Sequence, residues 1–515
     1  MSDATAFIDD EPVARLSPLR VAIAVVVLAA AVGGAAYAVR NRLHAAPAAV
    51  QGTWFAPYVD ATLTPLYSFQ DPAANTARQV VLGFVVAQPG AGCAPSWGAI
   101  GSLSAADQSV ALSSRLAQLA QDGALPIVSF GGRANTDLSV ACQDTGALTR
   151  AYQAVIAAYH LRVIDLDVEG TALGDFSAVQ RQAAAVHAVE AAAATAHQPL
   201  GVWLTLPVEP SGLQDNALAV VDAMLRAGVS ITGVNVMAMD FSASPPSGHS
   251  MIGEVEDAAT AAQRQVADRF HRYGVEMSGT DAWQHMGVTV MIGQNDVQGQ
   301  RFTVGDAQGL ARFATAVRLG RLSFWSLNRD RQCGSAFARV GVNSNTCSGT
   351  AQGALAFSHT FSQFNASAVR AGTPSDAPPP AVTDPAKAPY PLWSPTVPYA
   401  SAYKVVRQGY VYQAKWYNSG QDPMAQVQYS WQSPWELLGP VLPTDHAPAA
   451  SVPPGSDYPD WSPSSLYRSG DRVLFHALPY EAKWASQGAS PADQAADPDG
   501  SPWKPLFSFP GEPTG

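Results

Sequence analysis

The chain has 515 residues, 47% of them hydrophobic and 14% charged, with a formal net charge of −11 and a mean hydropathy of +0.01. That length exceeds what one core usually holds, so a large body with smaller units attached is expected. The acidic balance and the lack of any Lys/Arg cluster exclude a nucleic-acid partner and favour neutral ligands.

Residues 1–20 form a short leader. Residues 21–39 carry no charge and lie between Arg15 and Arg20 on one side and Arg40 and Arg42 on the other. The stretch is about long enough to span a bilayer. Two readings stand: a retained signal anchor, or a secretory signal cleaved after Ala36-Tyr37-Ala38. Both put this segment in contact with a membrane and the rest of the chain outside the cytoplasm. The flanking arginines balance, so orientation is not set.

From about 50 to 370, short apolar runs alternate with Ala-rich amphipathic stretches. Strands are expected at 53–59, 79–87, 125–130, 163–168, 202–206, 231–239, 288–292 and 322–327. Helices fall between them, as at 147–160, 177–196 and 258–273. This alternation predicts an α/β body, a closed (β/α)₈ barrel. An open doubly wound sheet is the alternative, but no glycine-rich phosphate loop follows the first strand. The four cysteines include no CxxC pair and lack metal-ligand spacing. They are read as two disulfides, Cys93–Cys142 and Cys333–Cys347, in an oxidising compartment, with no metal and no cofactor.

Residues 371–388 and 441–456 are rich in Pro, Ala and Ser and read as linkers. The units they delimit, 389–440 and 457–507, are an internal repeat at an offset of 68 residues, which carries Trp393 onto Trp461, Tyr412 onto Tyr480, Trp416 onto Trp484 and Trp435 onto Trp503. Their short alternating runs predict two small all-β modules. Tyr412 and Trp435 are expected in the module core.

The stretch with most chemical content is 161–170, LRVIDLDVEG. Side chains alternate faces along a strand, so Asp165, Asp167 and Glu169 point one way and Ile164, Leu166 and Val168 the other. The apolar set packs beneath the outer helices, which turns three carboxyls into the barrel. Acids crowded out of water must share protons, and some of their pKa values rise.

These residues carry a resemblance. The body resembles glycoside hydrolase family 18, the chitinases and their relatives. Ser129-Phe-Gly-Gly132 is similar to that family's S-x-G-G, Asp165-x-Asp167-x-Glu169 to its DxDxE, Met237-Ala-Met-Asp240 to its M-x-Y-D, and Trp325 to the tryptophan of its eighth strand. Two positions depart from the pattern. Arg162 stands where the longer signature DxxDxDxE begins, placing a basic residue below the acid row. Met239 replaces the tyrosine whose hydroxyl helps hold the substrate's acetamido group.

The resemblance implies hydrolysis of β-1,4 links in chitin or another N-acetylglucosamine-containing glycan, with the substrate's own acetamido group as nucleophile. Glu169 would be the acid–base, Asp167 would orient the acetamido group, and Asp165 would share a proton with Asp167. Asp240 would touch the same group and Trp325 would stack under the sugar, with Tyr58, Met239 and Gln294 lining the site. The repeats resemble chitin-binding modules of carbohydrate-binding families 5 and 12. Trp393, Trp416, Tyr417, Trp461 and Trp484 are the candidates for stacking on sugar. Ala485 stands where the first copy has Tyr417, which implies unequal affinities. A monomer is expected. Two other activities share the barrel: non-catalytic chitin binding, and an endo-β-N-acetylglucosaminidase acting on N-glycans.

Overall fold

The computed structural model describes residues 53–77, 79–242, 250–334, 343–364, 388–425, 427, 432–443, 445, 458–475, 478–491 and 501–506. The segment 21–39 and nearly all of both linkers lie outside them. Among the described residues no helix is long and apolar enough to cross a membrane.

The principal sheet closes on itself. Its first strand, β1, comes in two pieces, Trp54–Phe55 and Tyr58–Asp60. Around the barrel follow β2 (Gln79–Ala87), β3 (Leu125–Gly131), β4 (Val163–Asp167), β5 (Gly201–Pro207), β6 (Ile231–Met237), β7 (Met286–Met291) and β8 (Arg321–Trp325). All neighbours pair parallel, and the second piece of β1 pairs β2 while the first pairs β8. This is the expected (β/α)₈ barrel. Strand and helix ends fall within a few residues of those expected, and β8 begins one residue early, at Arg321, which matters below.

The strands are buried on both faces, and the outward face is apolar because helices cover it. Ile164, Leu166 and Val168 join Val179, Ala183 and Val186 of helix Phe176–Thr195 in the main core. Helix starts are fixed locally. Asp175 accepts from the Ala178 N–H, and Thr303 with Asp306 forms a capping box on helix Val304–Val317. Cys93 is bonded to Cys142 and Cys333 to Cys347.

The lower barrel interior is filled by a separate cluster that includes Trp54, Tyr58, Leu125, Ile127, Val163 and Trp203. The interior is thus a packed floor, and the open cleft lies at the end where the strands finish.

Beyond the barrel are two small β units of the same design. The first pairs Lys404–Arg407, Tyr410–Ala414 and Trp435–Pro440 antiparallel, and the second pairs Arg472–Phe475, Leu478–Ala482 and Trp503–Pro505 likewise. Tyr412 and Trp435 are buried in the first unit.

Candidate active site

The acid row begins on the floor of the barrel. Asp165 is fully buried, and both of its oxygens are taken by donors. Oδ2 accepts from the Tyr58 hydroxyl at 2.9 Å and the Ser129 hydroxyl at 2.7 Å. Oδ1 accepts from Thr205 at 2.7 Å and from the Arg321 guanidinium at 2.6 Å. A second nitrogen of Arg321 donates to the Tyr58 hydroxyl at 3.0 Å, and Asn235 donates to Thr205 at 3.0 Å. These bonds satisfy the carboxylate of the buried ion pair and two guanidinium nitrogens, while Arg321 Nε is left without a hydrogen-bond partner. The guanidinium also lies 5.3–5.5 Å from the Trp54, Tyr58 and Trp203 ring centres, favourable ground for a cation. Burial works against its charge, yet Tyr58 and Asp165 more than offset this and hold its pKa above the ordinary value.

This network corrects two expectations. Arg162 lies exposed at the foot of β4, and the basic residue facing the acid row is Arg321 of β8. Asp165 was expected to share a proton with Asp167, but four donors already occupy its two oxygens.

The shared proton belongs one step higher. Burial pushes the Asp167 carboxyl well above its ordinary range, with Glu169 and then Asp165 adding to the effect. Its Oδ1 is buried without a hydrogen-bond partner. Glu169 continues the strand in extended conformation and is half-buried. Burial raises its pKa too; Arg133 opposes this and Asp240 reinforces it. A carboxylic acid whose pKa is raised by burial, at the open end of the row, can act as a general acid.

The glycines after Ser129 shape this end. Gly131 has φ +103°, and a Cβ there would lie 2.2 Å from the Asp167 carbonyl oxygen. The next amide, of Gly132, donates to that carbonyl at 3.0 Å. The S-x-G-G sequence therefore lets β3 close tightly on the acid strand while Ser129 holds Asp165.

Asp240 adopts a left-handed backbone (φ 50°) just beyond β6 and accepts from the Val297 amide at 3.0 Å. Burial raises its pKa as well. Trp325, at the end of β8, is half-buried and stacks on Phe84 with ring centres 5.5 Å apart. Tyr58 lies 6.2 Å from it, so an aromatic wall flanks the acid row.

Known proteins with this arrangement follow from comparison. The chain is similar to chitinases. It is 30% identical over 282 residues to a probable bifunctional chitinase/lysozyme of Escherichia coli (strain K12), covering 54% of this chain and 31% of that protein. It is 29% identical over 283 residues to Endochitinase 11 of Metarhizium anisopliae, covering 54% of this chain and 52% of that one. The chain thus spans about half or less of the curated relatives it matches. Among solved structures, a catalytic-site mutant of active domain 2 of a Pyrococcus furiosus chitinase superposes with TM-score 0.51 at 25% identity, covering 61% of this chain and 95% of that one. The catalytic domain of a hyperthermophilic chitinase from the same organism gives 0.50 at 26%, covering 61% and 95%. No protein-family model matches the chain.

The remaining candidates are placed as follows. Met239 is half-buried next to Asp240. Gln294 braces a hairpin, its amide donating to the carbonyls of Asn295 and Gln300 at 3.2 and 3.0 Å. In the small units Trp416, Tyr417 and Trp484 are exposed. Trp393 and Trp461 are half-buried against their unit cores, Trp393 under the Arg407 guanidinium. Sequence reasoning missed Arg321, Thr205, Asn235 and Arg133. For Arg321 a signal existed, since it shares the inward face with Trp325 at strand period. Among the described residues no cluster of three or more His, Cys, Asp or Glu side chains is disposed to hold a metal ion.

Proposed function

We propose that the chain is a chitinase, hydrolysing β-1,4 links between N-acetylglucosamine units with retention of configuration, and that its two small modules bind the same polymer. The observation that carries this reading is the acid row: Asp165 tied down by donors, Asp167 and Glu169 above it with their carboxyls shifted upward by burial, and Trp325 beside them.

Glu169 gives its proton to the glycosidic oxygen as the bond from that oxygen to C1 breaks. The carbonyl oxygen of the 2-acetamido group bonds to C1 and forms an oxazolinium ion. Asp167 accepts from the acetamido N–H and balances the positive charge. Water then adds to C1, the ring opens, and its proton returns to Glu169. Arg321 and Tyr58 fix Asp165, so the proton moves only between Asp167, Glu169 and substrate. Asp240 offers a carboxyl on the acetamido side, and Met239 supplies apolar contact where the related tyrosine would supply a hydroxyl. Trp325 offers a face to the apolar side of the sugar.

Two displacements at C1 release the β-anomer first. NMR of early products from chitooligosaccharides is expected to show β before α. The α-anomer first would require a second carboxylate roughly 6.5–9.5 Å from the acid, activating water as a base, and would overturn the mechanism.

The reading includes export, as a monomer, with 21–39 as anchor or cleaved signal. The two disulfides and the uncharged segment support it. Protein from its native source is expected in the membrane fraction or in the medium; recovery from the cytosol with reduced cysteines would overturn export.

A further inference from the structure

The two small units share a design but not their surroundings. In the first, Lys404 is buried, and its ammonium donates to the Ser109 carbonyl at 2.6 Å and the Gln108 carbonyl at 3.3 Å. Those are end carbonyls of barrel helix Leu103–Val110, where a cation is favoured. Glu436 accepts from Ser68 at 2.5 Å and Gln70 at 3.0 Å, and Gln70 in turn accepts from buried Arg115 at 2.9 Å. Between these polar contacts, Ala111 of the barrel packs with Ala388, Val406, Val411 and Leu438. At Gly439 the backbones approach so closely that a Cβ would lie 1.9 Å from the Ser114 carbonyl oxygen, and the three nearest atoms it would meet belong to the barrel.

Of the patch residues only Leu438 recurs in the second unit, as Leu506. At the offset of 68, Lys404, Glu436, Leu392 and Gly439 become Arg472, Lys504, Asp460 and Phe507. Arg472 is 49% exposed and turns to Glu481 and Tyr458 of its own unit. Asp460 and Lys504 are exposed. One copy has a small glycine, an apolar patch and two charged side chains hydrogen-bonded to the barrel. The other has a large side chain, a reversed charge and a carboxylate in their place.

We propose that the copies have parted in role. The first is a fixed part of the catalytic body and holds Trp416 and Tyr417 as a stationary sugar-stacking platform; the second, presenting Trp484, binds as a tethered unit. The platform role rests on the chitinase reading, and the docking does not. A rigid platform presents its rings already ordered, whereas a tethered one must be ordered on each encounter.

The test is the full chain carrying L392D and E436K, the residues that the second unit itself bears at those positions in the same strand pairings. Hydrogen exchange is expected to rise on both sides of the contact, in strand Trp435–Pro440 and around Ala111 between the two barrel helices, and to stay unchanged in the second unit. Unchanged exchange around Ala111 would overturn the docking. Hydrolysis of particulate chitin is expected to fall roughly three- to tenfold, while cleavage of soluble chitooligosaccharides stays at the parent rate. Raised exchange with undiminished particulate hydrolysis would overturn the platform. If the parent cleaves neither substrate, it is the chitinase reading that has failed, and the exchange result still decides the docking.

Discussion

Replacing Glu169 by Gln is expected to lower hydrolysis by about 10²–10⁴-fold, the usual contribution of a general acid, while the barrel stays folded. The same substitution should change how stability depends on pH. Glu169 and Asp167 are held above their ordinary values of 4.5 and 3.8, chiefly by burial. Over the interval between ordinary and raised values, the folded chain binds more protons than the unfolded one. The stability these groups contribute is therefore full below about pH 4 and is lost as pH rises through their folded values. Gln cannot ionise, and it also removes the acid neighbour acting most strongly on Asp167. The variant's Tm should match the parent's at low pH and exceed it increasingly toward neutrality. Parent-like turnover in the folded variant would remove Glu169 from the mechanism, and a constant Tm difference would remove the raised pKa from the account.

The second large effect is expected at Arg321. Changing it to Met leaves Asp165 fully buried without its counter-charge, which costs about 3–5 kcal/mol. Urea unfolding should show that loss. The double variant R321M/D165N, with neither charge buried, should recover part of it. Arg321 also lowers the pKa of Asp167. Asp167 works as an acceptor, so removing Arg321 should carry the acidic limb of the activity profile to higher pH, a shift that loss of packing alone does not produce. Lys should rescue incompletely, because one ammonium lacks the fork that reaches Asp165 and Tyr58 together. An R321M variant with parent stability and an unmoved acidic limb would overturn this role.

Much of the barrel was legible because its signals are local. Apolar runs bounded by turns gave the strands, and alternation along residues 163–169 put three carboxyls on one face. What sequence reasoning missed depends on residues far apart in the chain. Arg321 meets Asp165 across 156 positions, and the expected strand began one residue too late to include it. A basic residue was instead sought beside the acids, at Arg162, where the chain is still entering the strand. The docking of the first module joins Gln70 to Glu436 across 366 positions, beyond any local pattern. Its trace was nonetheless present in the repeat, where Gly439 and Glu436 stand opposite Phe507 and Lys504. Similarities between the copies revealed the module; the differences between them revealed its neighbour.

The Cys93–Cys142 bond has a consequence for where this enzyme can be made. It closes a loop with a sequence separation of 49, joining the chain after β2 to the chain after β3. Phe84 and Arg133, which flank the acid row, belong to those two strand ends. On the chain-entropy account, a loop of that size withdraws about 4 kcal/mol of disorder from the unfolded chain. Without the bond, the rim segments would compete with a far larger set of open conformations, and a domain stable by about 5–15 kcal/mol would lose a large part of its margin. Synthesis in a thiol-rich cytosol should therefore yield a chain prone to aggregate, whereas an oxidising compartment should let the rim of the cleft close on itself as the chain folds.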